Sequence, residues 1–328
     1  MSFDIGEIHP NTPHLFADLA ELLLLTGFNG KKAIHKNDLE AVLLRGPISH
    51  EEIDDEEAET NLAKSGAERN VRSERQLEEV MMQLEYRSRA LDTFYPFQID
   101  GEELVILDEL NEKHRIYFFL LACSRLRSFG REGLPQKWAK SFTKISKFAM
   151  TGLLPTHATV RIFDANSDDR KNYYTTDLRI ALKTLGRDLS VLKINEDECG
   201  KAGPSGDAGL DLVAILNFED GAANAFALLG QCGAQETGWP KKTLEAHSMR
   251  YRHFFQMQFD YPAVMFTPVC YRTVDGEWCN NQSTNGILLA DRGRILKLLE
   301  LQNQWKEIAE SDWFITFEGE LSTISAAE

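Results

Sequence analysis

Apolar residues recur along this chain at two spacings, and the change from one to the other divides it. Between 13 and 45, Leu15, Leu19, Leu22 and Leu23 stand at helical intervals, as do Leu39, Val42 and Leu43 behind an Asn37 cap. Thr26-Gly27-Phe28-Asn29-Gly30 separates the two runs. The spacing predicts two short helices, forming either a helix-turn-helix-like module or a helical hairpin that only packs on the rest. After Pro47 an acidic stretch poor in apolar residues reads as a solvated loop at about 47–62. Over 63–91 a rough stripe of Val71, Leu77, Val80, Met81, Leu84 and Leu91 among dense charge predicts a long helix packed along one face. Its cover is either an internal partner or a helix of another subunit. Residues 94–107 read as a strand pair turning at Asp100-Gly101, and 116–126 as a buried helix.

Gly130, Gly133 and Pro135 then mark a boundary. The expectation is a mainly helical N-terminal region over 1–130 and an α/β domain over 135–328. In the second part helical and strand patterns alternate: a helix at 136–150, a strand at 158–163, and a helix from 175 or 176 that ends at Gly186. Strands follow at Asp211 and at 226–232, then a helix at about 241–256, strands at 263–267 and 287–290, and a helix at 292–310. Such alternation predicts a sheet covered by helices.

Composition narrows the function classes. With 328 residues, 43% of them hydrophobic, the chain can bury a sizeable core. No apolar run approaches the ~18 residues of a membrane span; residues 19–25 are too few and Glu21 breaks them. Met1-Ser2-Phe3-Asp4 lacks the basic start of a secretory signal, so a cytoplasmic location is expected, with no membrane partner. Five cysteines without a CxxC pair argue against a disulfide framework, and eight histidines without HExxH or HxxxH argue against a zinc enzyme. Walker, GxGxxG and GxSxG motifs are absent too, which leaves a small-molecule enzyme without support.

The net charge of −15 argues against nucleic acid as a partner, yet its distribution reverses part of that. Lys113, Arg115, Arg125, Arg127, Arg131, Lys137, Lys140, Lys144 and Lys147 face only Glu112 and Glu132 between 111 and 150. Lys137, Lys140, Lys144 and Lys147 form one stripe of the 136–150 helix, while Trp138, Phe142, Ile145 and Ala149 form another. The lysine stripe suits DNA phosphates, and equally the acidic run of a protein partner or second copy.

One stretch suggests chemistry: Gly206-Asp207-Ala208-Gly209-Leu210-Asp211-Leu212-Val213-Ala214, followed by Ala227-Leu228-Leu229-Gly230-Gln231-Cys232-Gly233. Hydrolysing a phosphodiester near neutral pH asks for divalent ions, and hard Mg²⁺ asks for oxygen ligands. Asp211, entering an apolar strand, has the residue type and setting for one; Asp207, flanked by glycines, reads as a turn residue.

This string resembles the Mrr-type branch of the restriction-endonuclease-like (PD-(D/E)xK) superfamily. The resemblance implies a mixed sheet flanked by helices, Asp211 and Gln231 as ligands of Mg²⁺ or Mn²⁺, and cleavage of DNA, as in bacterial defence against foreign DNA. The motif lysine is replaced by Gly233. Superfamily members in which that lysine has moved to the neighbouring helix point to Lys242 or Lys241 in its stead, and Asp177 is a substitute for the family's helix-borne acid. The alternative is a non-catalytic subunit of a multi-protein complex, in which a degenerate nuclease fold serves as a binding scaffold.

Overall fold

The computed structural model describes residues 2–9, 11–27, 30, 32–45 and 66–326. The expected acidic loop at 47–62, the first residues of the expected 63–91 helix, and Phe28 and Asn29 of the first turn lie outside them. In chain order the elements begin with β1 (Ser2–Phe3), α1 (Pro13–Leu25), β2 (Ala33–His35), α2 (Lys36–Arg45) and α3 (Gly66–Leu91). Then come β3 (Phe97–Asp100), β4 (Glu103–Ile106), α4 (Glu112–Ser124), α5 (Leu134–Thr151), β5 (Thr159–Ile162) and α6 (Leu178–Asp188). The rest comprises β6 (Lys193–Ile194), α7 (Glu196–Lys201), β7 (Leu212–Leu216), β8 (Phe226–Cys232), β9 (Phe255–Gln256), β10 (Ala263–Phe266), β11 (Leu288–Ala290), α8 (Arg292–Leu301), α9 (Trp305–Ala309), α10 (Asp312–Leu321) and β12 (Ser325–Ala326). Among the described residues no helix is long and apolar enough to cross a membrane.

Two compact units emerge. The first joins Met1–Trp138 to Val269–Cys279 and Trp305–Glu328, and the second joins Ala139–Pro268 to Asn280–Gln304. A boundary drawn along the chain at 130–135 assigns every later residue to one domain; the structure returns the last two helices to the first unit.

In the first unit α1, α3 and α4 surround a three-stranded antiparallel sheet in the order β2-β4-β3. Strand β2 stands between the first two helices, so a helix-turn-helix-like module is not formed there. Its residues pair with β4, Ala33 opposite Val105, a long-range partner that local spacing does not reveal. The buried centre carries charge: Arg87 Nη1 reaches Asp18 at 2.7 Å and Glu21 at 2.8 Å, while Tyr95 and Tyr117 donate their hydroxyls to Glu21. Much of the local basic excess is spent in the same unit. Arg115 pairs with Glu318, and Arg125 donates to the carbonyls of Ile5 and Glu7.

The second unit is α/β, with a mixed five-stranded sheet in the order β11-β10-β8-β7-β5. Strand β7 runs antiparallel to both of its neighbours, β5 and β8; β10 and β11 run parallel to β8. Alternation along the strands sends Val213, Ile215, Ala227 and Leu229 into one core with Leu178, Ala181, Leu182 and Leu185 of α6. On the other face, Met150 of α5 lies over Gly230, 3.5 Å from where a Cβ would stand.

Three expected helices change. Helix α6 runs through Gly186, where a Cβ would come within 2.9 Å of Ile194 and Phe255, so that glycine allows close approach of β6 and β9 and ends nothing. The expected 241–256 helix is replaced by two short 3₁₀ turns, Trp239–Lys242 and Ser248–Tyr251. Between them His247 takes an extended backbone, φ −66° and ψ 133°, which a continuous helix cannot contain. The expected 292–310 helix breaks after Leu301, where Asn303 adopts φ 49°, a left-handed conformation that an α-helix cannot contain.

Candidate active site

The sequence from Gly206 to Asp211 turns sharply before it becomes a strand. Asp207 Oδ1 accepts the Gly209 N–H at 2.8 Å, an Asx turn, so Asp207 has the turn role its neighbours suggested. Gly209 takes φ 80° and a Cβ there would stand 3.1 Å from Glu245, so both conformation and space call for glycine. The turn delivers Asp211 one residue before β7. Across the antiparallel pair, Gln231 lies one residue beyond Gly230, the partner of Leu212, so Asp211 and Gln231 occupy the same end of adjacent strands.

A cavity of about 230 Å³ opens at this end. It is bordered by Asp211, Asp164, Lys140, Lys242, Thr143, Cys232 and Gln235, with Phe142 and Gly233 completing much of its wall. Asp164 is held there by the backbone: Phe163 and Asp164 both direct their N–H groups at the Asp211 carbonyl, 2.6 and 3.3 Å away. Asp211 Oδ2 accepts the Cys232 N–H at 2.7 Å. Burial pushes the Asp211 carboxyl up to about 7, the Cys232 donor opposes that, and the charges of Asp207, Asp164 and Glu245 add to it. The Cys232 thiol is likewise pushed up, first by burial and then by Asp211.

Gln231 is 6% exposed and does not border the cavity. Its Nε2 donates to Glu245 Oε2 at 3.3 Å, while its Oε1 is buried and finds no hydrogen-bond partner among the described residues. Gly233, where the motif lysine would stand, has no room: a Cβ would lie 2.4 Å from Met265 Cε and 2.6 Å from Trp239 Cβ. Lys242, at the end of the Trp239–Lys242 turn, borders the cavity, whereas Lys241 is exposed and does not.

Comparison with protein-family models, with curated proteins and with solved structures finds no match for this chain. Its chemistry therefore has to be read from these side chains alone.

Asp177 stays apart. It caps α6, accepting the Arg179 N–H at 2.9 Å, and its carboxylate also holds the Arg179 guanidinium, which draws its pKa down to about 2. A helix cap already bound to its own arginine is not a free catalytic acid. The lysine stripe divides as well. Lys137 pairs with Glu320 at 2.6 Å and Lys147 with Asp169 at 2.8 Å, while Lys140 turns to the cavity. Lys144 is exposed on the same helix. A continuous face of four unpaired ammonium groups is thus not present.

Among the described residues no group of three or more His, Cys, Asp or Glu side chains could hold a metal ion. Magnesium asks for less, since it keeps several waters and takes one or two carboxylates together with substrate phosphates. Asp211 and Asp164 on one cavity fit that demand, and Gln231, which does not border it, adds nothing to the set. Asp164, Thr143, Cys232 and Gln235 were missed in the sequence. Only Asp164 left a signal there: it is an acid immediately after the strand pattern at 158–163.

Proposed function

We propose that the second unit is a restriction-endonuclease-like domain that cleaves DNA with the help of Mg²⁺ or Mn²⁺, in the setting of defence against foreign DNA. The observation that carries this reading is the single cavity bordered by two carboxylates, Asp211 and Asp164, and two ammonium groups, Lys242 and Lys140. Support also comes from the chain order, in which the Asp211 strand, the Gln231 strand and then the strand leading to Thr267 are neighbours in one sheet.

Asp211 and Asp164 would hold the cation, which would supply Lewis-acid charge against the developing phosphorane, whereas Gln231, off the cavity, is not placed to join them. Lys242 takes the role of the motif lysine by stabilising the same negative charge, and Lys140 binds a phosphate oxygen at the cavity mouth. Asp211→Ala should abolish Mg²⁺- or Mn²⁺-dependent cleavage of double- or single-stranded DNA while the chain stays folded. Parent and variant that are equally inactive on both substrates, alone and with natural partners, would end the nuclease reading.

A second reading has its own observation. Gly233 is closed to any side chain and Gln231 is bonded to Glu245 rather than lining the cavity, as in a nuclease fold kept as a scaffold for protein or nucleic acid. It predicts that Asp211→Ala is silent while binding of a partner persists.

A further inference from the structure

A second cavity of the same unit, of about 360 Å³, opens on the ribbon formed by β6 and β9. Its construction begins at Gly186 of α6, which lets Ile194 and Phe255 pack closely against that helix. These two face each other across the ribbon, so the next facing pair, Lys193 and Gln256, stands on its other side and lines the cavity. Arg252, His253 and Asn195 complete the polar wall, and Phe255 and Met257 add an apolar part. That wall consists largely of donors. Lys193 has no ion-pair partner among the described residues. Arg252 gives Nε and Nη2 to Asp260 Oδ1 at 3.0 and 2.8 Å, which leaves Nη1 outside the pair. Asn195 accepts the Glu198 N–H with Oδ1 and keeps Nδ2 to donate. His253, its ring centroid 3.7 Å from that of Phe254, has a ring N–H in either tautomer. No acid lines the cavity, although the chain carries a net charge of −15. Of the acids that follow on α7, Glu196 is held by Lys183 and Glu198 by Lys201.

Several donors around one space, two of them on permanent cations, suit an anion with several acceptor oxygens, which describes a phosphate group. Size and place narrow the ligand further. A cavity of about 360 Å³ leaves room beyond the phosphate for a sugar or a base, and falls within the ~300–1,000 Å³ usual for small-molecule sites. The ribbon packs with α6 on one face of the five-stranded sheet, whereas the Asp211 cavity lies against α5 on the other. We propose that the β6–β9 cavity binds a free phosphorylated small molecule of about nucleotide size, with Lys193 and Arg252 on its phosphate.

The test is a calorimetric titration of the full chain with the four common nucleoside 5′-monophosphates, with the matching nucleosides and, in competition, with a short duplex DNA. Lys193→Gln and Arg252→Gln should both fold, because Lys193 is exposed and the Arg252–Asp260 pair lies at the surface. At least one monophosphate should bind, and its nucleoside at least about 10-fold more weakly. Lys193→Gln and Arg252→Gln should each weaken the monophosphate by about 10–100-fold, as loss of one hydrogen bond to a charged group does, while Lys242→Gln leaves it unchanged. Duplex DNA should not compete. The proposal is overturned if no monophosphate binds at millimolar concentration, if the nucleoside binds as tightly, or if binding responds to Lys242→Gln and not to Lys193→Gln. It is overturned as well if duplex DNA displaces the monophosphate and itself binds less tightly to Lys193→Gln, since these groups would then hold backbone phosphates of DNA.

Discussion

Cys232 donates its backbone N–H to Asp211 Oδ2 at 2.7 Å, so the last residue of β8 holds the carboxyl group that precedes β7. This bond favours the carboxylate, yet burial outweighs it and three further acids, Asp207, Asp164 and Glu245, press in the same direction as burial. The bond to Cys232 therefore does not keep Asp211 an ordinary carboxylate: burial and its acidic neighbours favour the protonated form.

A pH dependence follows from that imbalance. The Asp211 carboxyl titrates at about 7 in the folded chain, against roughly 4 when unfolded, so the folded state holds the proton more tightly. Its contribution to stability is greatest below pH 4, falls as pH rises through 7 and is flat above. Between pH 5 and pH 8 the loss amounts to roughly 3 kcal/mol at 1.36 kcal/mol per pH unit. Asp211→Asn keeps an acceptor for Cys232 and lacks the titration, so urea denaturation without added metal should show it gaining on the parent by about that amount over this range. Parallel pH profiles for the two chains would contradict the shift.

Putting the motif lysine back should fail. A Cβ at 233 meets Met265 Cε at 2.4 Å and Trp239 Cβ at 2.6 Å, and although the methionine tip can swing away, the tryptophan Cβ is fixed by its own backbone. Gly233→Ala should cost about 1–3 kcal/mol, the usual penalty of overpacking, and Gly233→Lys at least as much, with no gain in cleavage. A denaturation midpoint unchanged in Gly233→Ala would show that the Trp239 turn yields freely.

Strand and helix positions of the second unit were largely legible because its sheet is covered on both faces. Residues 226–232, apolar apart from Gln231, form β8 with those bounds, and the amphipathic 136–150 pattern falls within α5. What stayed hidden depends on distant partners. The segment holding Lys242 carries a helix-compatible pattern yet is broken by the extended backbone of His247, and β2 exists only through pairing with β4. The lysines looked alike on the helical wheel, and only the fold reveals that Glu320 and Asp169 engage two of them. Asp211 could be singled out in the sequence, but Asp164 enters its cavity through strand pairing between β5 and β7.

Lys242 and Lys241 offer a clean comparison because they are adjacent and differ in placement. Lys242 borders the cavity with Asp211 and Lys241 is exposed outside it. On the proposed function, Lys242→Ala should lower the rate of DNA cleavage by about 10²–10³-fold, as removal of one transition-state charge partner does, and Lys241→Ala by no more than a few-fold. Single-turnover rates at saturating DNA separate this from weaker binding. Equal effects of the two substitutions would place the lysine's role in general phosphate attraction.

The buried charges of the first unit allow a sharper stability test than any surface pair. Arg87 is fully buried, with Asp18 and Glu21 on Nη1 and the His14 carbonyl 2.6 Å from Nη2. Glu21 is further satisfied by Tyr95 at 2.9 Å and Tyr117 at 2.7 Å, so one guanidinium charge is shared between two buried carboxylates. Replacing Arg87 by Met takes the buried positive charge away from both acids, and should cost about 3–5 kcal/mol. Tyr117→Phe removes one donor from Glu21 while the ion pair survives, so about 1.5–3 kcal/mol is expected there. Replacing Arg87, Asp18 and Glu21 together by apolar residues of similar volume removes the desolvation cost along with the attraction, and should restore much of the stability lost in Arg87→Met. Chemical denaturation of the three chains checks the order: if Arg87→Met costs less than Tyr117→Phe, the arginine is not what makes the two buried carboxylates tolerable.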